Sequence, residues 1–303
     1  MNQSTLLSRA FFVVLLLALV AGSATAKDTQ IKDVVKKSYD VRPGGTLHLD
    51  IDHGNIFIEP GDNDRVLIEL ERIADADTRE EAERVLANHE YAFDNRGNDV
   101  FIRSRYDKEK RGLMSRWRNN TRLKINVVVH VPAEYDVDFS SGAGNVEIAD
   151  LTGRIEGRTG AGNIMIEDVR GYLEIASGAG NIDIEGDIDR AEVTTGAGNI
   201  NLYGLQGAIE ASTGAGNIYA EITRQPRENS ELSSGAGNVT VSLARNVGVY
   251  VDATAALGSA ECEFPSVKVE GKWMKKSFSG EINGGGPELR MHAGVGNVAL
   301  RRD

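Results

Sequence analysis

The chain has 303 residues and a formal net charge of −11, so it can form one large domain or two small ones. The acidic balance argues against nucleic-acid binding and against broad attraction to anionic membranes. Aromatic residues are only 6% of the chain, glycine is abundant at 34 residues, and Cys262 is the only cysteine. This composition predicts many short strands and excludes a disulfide framework within one chain.

The first residues have the pattern of a secretory signal peptide. Arg9 precedes an apolar run from Ala10 to Val20, and Ala24-Thr25-Ala26 fits a small-residue cleavage site. We therefore expect residues 1–26 to be removed near Ala26. The protein would then be periplasmic, secreted or at the cell surface. No second apolar run of that length follows, so we expect no transmembrane span in the mature chain.

Residues 27–135 are predicted to form an amino-terminal cap of strands and one helix, together with the first coils. The helix follows Thr78, which can cap it, and Glu81 stands at the third helical position. The predicted strands are Thr46–Ile51, Val66–Leu70, Asp99–Ile102 and Lys124–His130.

One turn, Gly-Ala-Gly-Asn, is repeated through residues 136–245. Its asparagines are spaced by 18, 18, 18, 18 and 21 residues, and a fixed period in this range is typical of a solenoid. The residues between the turns alternate between apolar and polar, as strands do. The sequence therefore predicts an all-β fold, a parallel β-solenoid (β-helix) with coils of about 18 residues. Irregular coils and a carboxyl-terminal cap are predicted over residues 246–303, with Ser259 in the asparagine position and Cys262 facing inward.

Two apolar columns are expected to face the core. The residue after each turn gives Val146, Ile164, Ile182, Ile200, Ile218 and Val239, and the strand before the turn gives Val137, Ile155, Leu173, Ala191 and Ile209. A left-handed hexapeptide helix also has coils of this length, but it needs an aliphatic or small residue every sixth position. Thr152 and Arg158 occupy those positions, so that alternative fails.

The repeated turn is interpreted as structural. Two glycines allow positive φ and close backbone approach, and asparagine can bond the backbone or form a ladder along the axis. A calcium-binding nonapeptide turn is the functional alternative, but it uses aspartate where this chain has neutral asparagine. The turn residues are Gly142, Gly144, Asn145, Gly160, Gly162, Asn163, Gly178, Gly180, Asn181, Gly196, Gly198, Asn199, Gly214, Gly216, Asn217, Gly235, Gly237 and Asn238.

An outward column of carboxylates is the most unusual surface feature. Its members are Asp138, Glu156, Glu174, Glu192, Glu210 and Glu231. The stacking predicts them one strand apart, about 4.8 Å, where like charges repel each other. Diagonal ion pairs with Arg154, Arg158 and Arg190 are one interpretation, although we expect Glu210 and Glu231 to lack a cation beside them. The other interpretation is that these carboxylates form a stripe that binds divalent cations or a cationic partner.

The remaining motifs do not favour an enzyme. The five histidines show no metal-ligand spacing, the Gly-x-Gly pairs do not precede a helix, and we predict no catalytic residue and no cofactor. A polysaccharide lyase on a β-helix is the enzyme alternative, although the regular corners are too short for a deep cleft. Two basic loops contain Trp117 and Trp273, which could pack on a cap or make peripheral contact with anionic lipid or glycan headgroups.

The segments "SGAGNVEI", "TGAGNIMI", "SGAGNIDI" and "TGAGNINL" resemble the bacterial "putative-adhesin" family of envelope proteins with repeated turns. That family is related to the GIN head domain of autotransporter adhesins. The resemblance implies a β-solenoid, export, and no known catalytic residues. It leads us to expect a non-catalytic, adhesin-like or scaffolding module whose protein or glycan partner is unknown, or alternatively an envelope-stress protein that binds a regulatory partner.

Overall fold

The computed structural model describes residues 29–106, 122–272 and 275–303, so the expected signal peptide lies outside the described residues. The amino-terminal elements are β1 (Thr29–Asp40), β2 (Thr46–Ile51), β3 (Asn55–Pro60), β4 (Arg65–Ala76), α1 (Arg79–Ala87), β5 (His89–Arg96), β6 (Asp99–Tyr106) and β7 (Arg122–Val131). The central strands are β8 (Asp136–Ser141), β9 (Val146–Ala149), β10 (Thr152–Ala161), β11 (Ile164–Ala179), β12 (Ile182–Ala197), β13 (Ile200–Leu205), β14 (Ala208–Ala215), β15 (Ile218–Ile222), β16 (Ser230–Ala236) and β17 (Val239–Leu243). The carboxyl-terminal strands are β18 (Val249–Leu257), β19 (Ala260–Cys262), β20 (Glu270–Lys272), β21 (Lys275–Ile282), β22 (Glu288–Val295) and β23 (Val298–Arg302).

The repeats stack as parallel strands in one open sheet. We call the strand before and the strand after one repeated turn a rung. Ile155 in β10 pairs with Leu173 in β11, and Ile164 in β11 pairs with Ile182 in β12. Equivalent positions of neighbouring repeats therefore lie side by side, and the predicted parallel, β-solenoid-like stacking is confirmed.

The predicted apolar columns form the core. After the turn, the six column residues Val146, Ile164, Ile182, Ile200, Ile218 and Val239 are each at most 1% exposed. Before the turn, the five residues Val137, Ile155, Leu173, Ala191 and Ile209 are buried to the same extent. The predicted inward faces of both strands are confirmed, and the core runs as a continuous apolar stack along the axis.

The order of rungs in space departs from the order in the chain at both ends. Strand β2 lies between β6 and β8, and β3 lies between β7 and β9. At the other end β22 lies between β16 and β18, and β23 lies between β17 and β19. The last two strands of the chain, β22 and β23, thus lie inside the stack. The rung formed by β18 and β19, which precedes them in sequence, lies outside them.

The irregular rung β18–β19 ends the stack of turns. Ser259 stands in the asparagine position, where its backbone N–H and its hydroxyl both donate to Asn297 Oδ1, at 2.9 and 2.7 Å. Cys262 packs partly buried against the core, and Phe264 is buried. Ser259 therefore occupies the asparagine position as predicted, and Cys262 faces the core as predicted.

Antiparallel strands cover both ends of the stack. At the amino-terminal end β4 pairs with β7, β1 pairs with β4, and β5 pairs with β6. At the carboxyl-terminal end β21 pairs with β18, and β20 pairs with β21. Because these strands run against the stack, they end the parallel order that would otherwise invite further strands to add.

The predicted helix is present as α1. Thr78 is its N-cap, and the Thr78 hydroxyl oxygen accepts the backbone N–H of Glu81 at 3.2 Å. Ala82 packs against Ala74 and Ala76 of β4, which fixes the helix to the cap. In the ranges that the structure describes, no helix has the length and apolar character to span a membrane.

The burial difference between adjacent columns gives a stability prediction. Ile182 is fully buried, whereas Met165 in the adjacent outward column is 41% exposed. We expect Ile182→Ala to lower the free energy of unfolding by about 2–5 kcal/mol because it leaves a cavity. The control Met165→Ala should change it by less than about 1 kcal/mol. Urea unfolding of both variants checks this, and the reverse order would mean that the two columns have exchanged faces.

Candidate functional site

The repeated turns lie directly on one another, and their two glycines have different roles. The second glycine of each turn, from Gly144 to Gly237, has φ between 130° and 152°. A Cβ on Gly162 would lie 2.1 Å from the carbonyl oxygen of Gly144 in the preceding rung. The first glycine lacks positive φ, but a Cβ on Gly160 would lie 2.5 Å from the carbonyl oxygen of Gly142. Close backbone approach therefore requires both glycines, and positive φ requires only the second.

The turn asparagines form a ladder between side chain and backbone. The Oδ1 atoms of Asn145, Asn163, Asn181, Asn199 and Asn217 each accept the backbone N–H of the next asparagine at 2.9–3.0 Å. Among these repeat asparagines, amide-to-amide bonds are added only from Asn217 Nδ2 to Asn199 Oδ1 at 3.3 Å and from Asn238 Nδ2 to Asn217 Oδ1 at 3.1 Å. Because these oxygens are occupied within the stack, the arrangement favours a structural role over a calcium turn.

The ladder is longer than the sequence pattern indicates. Asn145 N–H donates to Asn55 Oδ1 at 3.2 Å, and Asn55 Nδ2 donates to Asn126 Oδ1 at 3.1 Å. At the other end Asn297 N–H donates to Asn238 Oδ1 at 2.9 Å. Reading the repeats alone missed these members, although "HGN" and "GVGN" in the sequence carry the second glycine and the asparagine of the turn.

A row of buried hydroxyls next to the turns is a second feature that sequence reasoning missed. The residue before each first glycine is serine or threonine, and all six are buried: Ser141, Thr159, Ser177, Thr195, Thr213 and Ser234. Thr195, Thr213 and Ser234 donate to glycine carbonyls of the preceding rung at 3.2, 3.0 and 2.8 Å. These three hydroxyls thus extend the polar ladder to the edge of the core, whereas the buried hydroxyls of Ser141 and Ser177 have no hydrogen-bond partner among the described residues. The Ser or Thr before every turn was the available signal.

The six carboxylates form the predicted file. Glu156 pairs in register with Asp138 and with Glu174, Glu174 pairs with Glu192, Glu192 with Glu210, and Glu210 with Glu231. Its two ends differ from the rest. His48 lies beyond Asp138, and Arg290 lies beyond Glu231.

Most members of the file have a partner within the protein. His48 Nδ1 lies 3.1 Å from Asp138, Arg154 pairs with Glu156, and Tyr172 donates to Glu174 at 3.4 Å. Arg190 lies 4.0 Å from Glu210, and Arg290 lies 3.4 Å from Glu231. The expectation that Glu210 and Glu231 lack a cation is therefore wrong, because Arg190 reaches along the stack and Arg290 comes from a strand inserted out of chain order.

The geometry favours ion pairing over metal binding in this file. Within the described ranges, no group of three or more His, Cys, Asp or Glu residues is arranged to hold a metal ion. Glu192 is the one member for which no described side chain forms a hydrogen bond or ion pair. Exposed ion pairs of this kind contribute only about 0–1 kcal/mol each. They therefore relieve the repulsion between the carboxylates rather than drive folding.

The buried histidine and the cysteine have structural environments. His89 Nε2 lies 2.7 Å from Ser104 Oγ, and burial, assisted by the nearby Arg72 charge, lowers the pKa of His89 to about 4. Burial also raises the pKa of the Cys262 thiol, which disfavours the reactive thiolate. Trp117 and Trp273 lie outside the described residues, so their peripheral-contact hypothesis stays a prediction.

The contact between turns predicts a large effect of one added methyl group. We expect Gly162→Ala to lower the free energy of unfolding by about 3 kcal/mol or more, because both φ and the Gly144 carbonyl oppose it. Gly97 also has positive φ, at 68°, but nothing lies within 4 Å of its added Cβ. The control Gly97→Ala should cost on the order of 1 kcal/mol. Equal losses in urea unfolding would mean that the backbone contact is unimportant.

The unpartnered carboxylate predicts a change of opposite sign. We expect Glu192→Gln to raise the free energy of unfolding by up to about 1 kcal/mol at pH 7, because it removes repulsion from two neighbours. Glu210→Gln is the matched control, since it also loses the Arg190 contact, and it should gain less. The difference in unfolding free energy between the two variants should shrink at about 1 M salt, where the screening of exposed charges is nearly complete. A Glu192→Gln protein less stable than wild type would indicate an additional partner for this carboxylate.

Solved structures of bacterial proteins are similar to this chain over most of its length. One, named a "putative adhesin" from Bacteroides fragilis, is 17% identical with a TM-score of 0.48, covering 89% of this chain and 97% of its own. Another, named a "putative lipid binding protein" from Parabacteroides distasonis, is 12% identical with a TM-score of 0.37, covering 88% and 96%. A third, named a "putative adhesin" from Parabacteroides merdae, is 11% identical with a TM-score of 0.26, covering 89% and 96%.

The family comparison covers nearly the whole described chain. No curated protein matches the sequence. The profile of the Toastrack DUF4097 family matches residues 46–301, which include the regular rungs and both out-of-order end rungs. The chain therefore belongs to the Toastrack DUF4097 family.

Proposed function

We propose that the protein is an exported, non-catalytic β-solenoid that serves the cell envelope as an adhesin-like binding or scaffolding module. In this proposal one 18-residue repeat is one coil, and the GIN head domain is a more distant relative. The similar structures are named "putative adhesin" or "putative lipid binding protein", and these names agree with this class of function.

The observation that carries the proposal is the regular outer face of the stack. Successive rungs present equivalent polar side chains in register, as Glu174 pairs with Glu192 and Arg158 with Ser140. Neighbouring strands are about 4.8 Å apart, so the face repeats at a short, constant interval. A long surface of this kind suits contact with an extended or repetitive partner better than enclosure of a small substrate.

Cell fractionation with a protease-accessibility assay tests the proposal. The full chain with a carboxyl-terminal tag should be exported, and protease added to intact cells should digest it if it is displayed at the surface. The matched control lacks residues 1–26 and should remain in the cytoplasm.

The location decides between the adhesin-like function and its alternative. Protection in intact cells, with digestion after the outer membrane is permeabilised, would favour a periplasmic protein that binds an envelope-stress partner. Cytoplasmic retention of the full chain would contradict both functions, because each of them requires export.

A further inference from the structure

The regular stack contains one enlarged corner. Two residues, Gln206 and Gly207, join β13 to β14, whereas residues 223–229 join β15 to β16. This insertion lengthens the interval between Asn217 and Asn238 to 21 residues. In solenoids, insertions of this kind map to loops on one face, which is often the binding face.

The enlarged corner is tied to the rungs on both sides. Gln225 Nε2 donates to Gly248 O at 2.7 Å, and Gly248 N–H donates to Gln225 Oε1 at 2.8 Å. Glu288 N–H donates to Asn229 Oδ1 at 2.9 Å, and Arg190 Nη1 donates to Glu228 Oε2 at 3.0 Å. The corner is therefore preorganised, which lowers the entropy that a ligand must overcome on binding.

A groove of about 260 Å³ opens beside this corner, on the face that carries the carboxylate file. Ala208 lies in the groove lining, in register with Arg190, and its short side chain leaves the space open. Arg190 contacts Glu228 and Glu210 at 3.0 and 4.0 Å. On the other side Arg290 contacts Glu231 at 3.4 Å and Glu288 at 3.0 Å.

The charges of the groove narrow the class of ligand. Three carboxylates, Glu210, Glu231 and Glu288, line the groove beside two guanidinium groups. Glu228 is not part of the lining but pairs with Arg190. The excess of negative charge repels an anion. Among the described residues, no group of three or more His, Cys, Asp or Glu side chains is arranged to hold a metal ion, so the lining does not favour a metal ligand. An apolar ligand would cover these ion pairs without replacing their hydration, which costs free energy. A neutral ligand with many hydroxyl groups is not repelled as an anion is. Its hydroxyls can also replace the water that it displaces from the ion pairs.

Sugar hydroxyls match the groups that the groove offers. Each hydroxyl can donate to a carboxylate and accept from a guanidinium N–H, and bonds to charged groups are stronger than bonds between neutral groups. The volume lies below the roughly 300 Å³ of the smallest sites for drug-sized ligands, which suits one ring of a longer chain. Tyr172 pairs in register with Arg190, and Tyr250 pairs with Glu288, so an aromatic side chain adjoins the groove on each side along the axis.

We propose that the groove around Ala208 binds one sugar ring of a neutral glycan chain that runs along the stack across the outer face. This inference rests on the proposed function, because it names the chemical class of the adhesin-like module's ligand. Arg190 and Arg290 donate to ring hydroxyls, Glu210 and Glu288 accept from them, and the tyrosines contact the apolar faces of neighbouring rings.

Calorimetry with three sets of oligosaccharides tests the ligand class. The purified protein is titrated with neutral oligomers of chitin, cellulose and mannan, with anionic polygalacturonate oligomers, and with cationic chitosan oligomers. We expect binding of at least one neutral oligomer and none of the anionic one. Binding of polygalacturonate or chitosan alone, or no binding at all, would overturn the proposal.

Substitutions locate the site. Ala208→Leu fills the groove and should weaken binding of the neutral oligomer at least tenfold, whereas Ala176→Leu, on an exposed position of the same face, should leave it unchanged. If Ala208→Leu does not fold, the charge-balanced double variant Arg290→Gln/Glu288→Gln takes its place with the same expectation. Unchanged affinity in the folded variant would overturn the proposal.

The results separate this inference from the proposed function. An exported protein that binds no neutral glycan contradicts only the groove's ligand. A protein that binds glycan through Ala208 but stays in the cytoplasm contradicts only the envelope function.

Discussion

The contact between stacked glycine turns is the constraint on which the rest of the structure depends. The backbone of Gly162 approaches the Gly144 carbonyl so closely that no Cβ fits between them. Turns that sit this close hold the asparagine side chain within reach of the next backbone N–H, which then fixes the register of both flanking strands. Register in turn places isoleucine on isoleucine in the core and carboxylate beside carboxylate on the surface.

The carboxylate file is therefore a cost of exact repetition that the protein offsets locally. Like charges at the strand spacing repel by about 1 kcal/mol even in water, and a strict repeat applies that repulsion at every rung. The arginines that relieve it do not recur in every rung. Arg190 reaches one rung further to Glu210, and Arg290 belongs to the inserted strand β22. Arg154 pairs with Glu156 within its own rung. Arg190 and Arg290 also border the groove, so the side chains that relieve the repulsion there also line the groove.

The sequence is informative where contacts repeat and uninformative where they do not. The inward column from Val146 to Val239 could be predicted because each residue meets its counterpart one repeat away. The places of the end rungs in the stack could not be predicted, since β2 joins β6 and β16 joins β22 through pairings that no local period encodes. The 21-residue interval was visible in the sequence, but its groove depends on Arg290 meeting Glu231 across 59 residues. Contacts between residues so distant in sequence produce no periodic pattern in the sequence.

The out-of-order rungs at both ends have a consequence for how such a molecule can change in length. Each end is closed by a segment that must fit against two specific neighbours, β22 between β16 and β18 and β2 between β6 and β8. A unit duplicated at either terminus would find no free rung to extend. A unit duplicated between β9 and β15 would meet the same turn, the same asparagine and the same apolar column on both sides. Growth of the stack over evolution is thus directed to its middle, where every rung is interchangeable, while the two ends move apart intact.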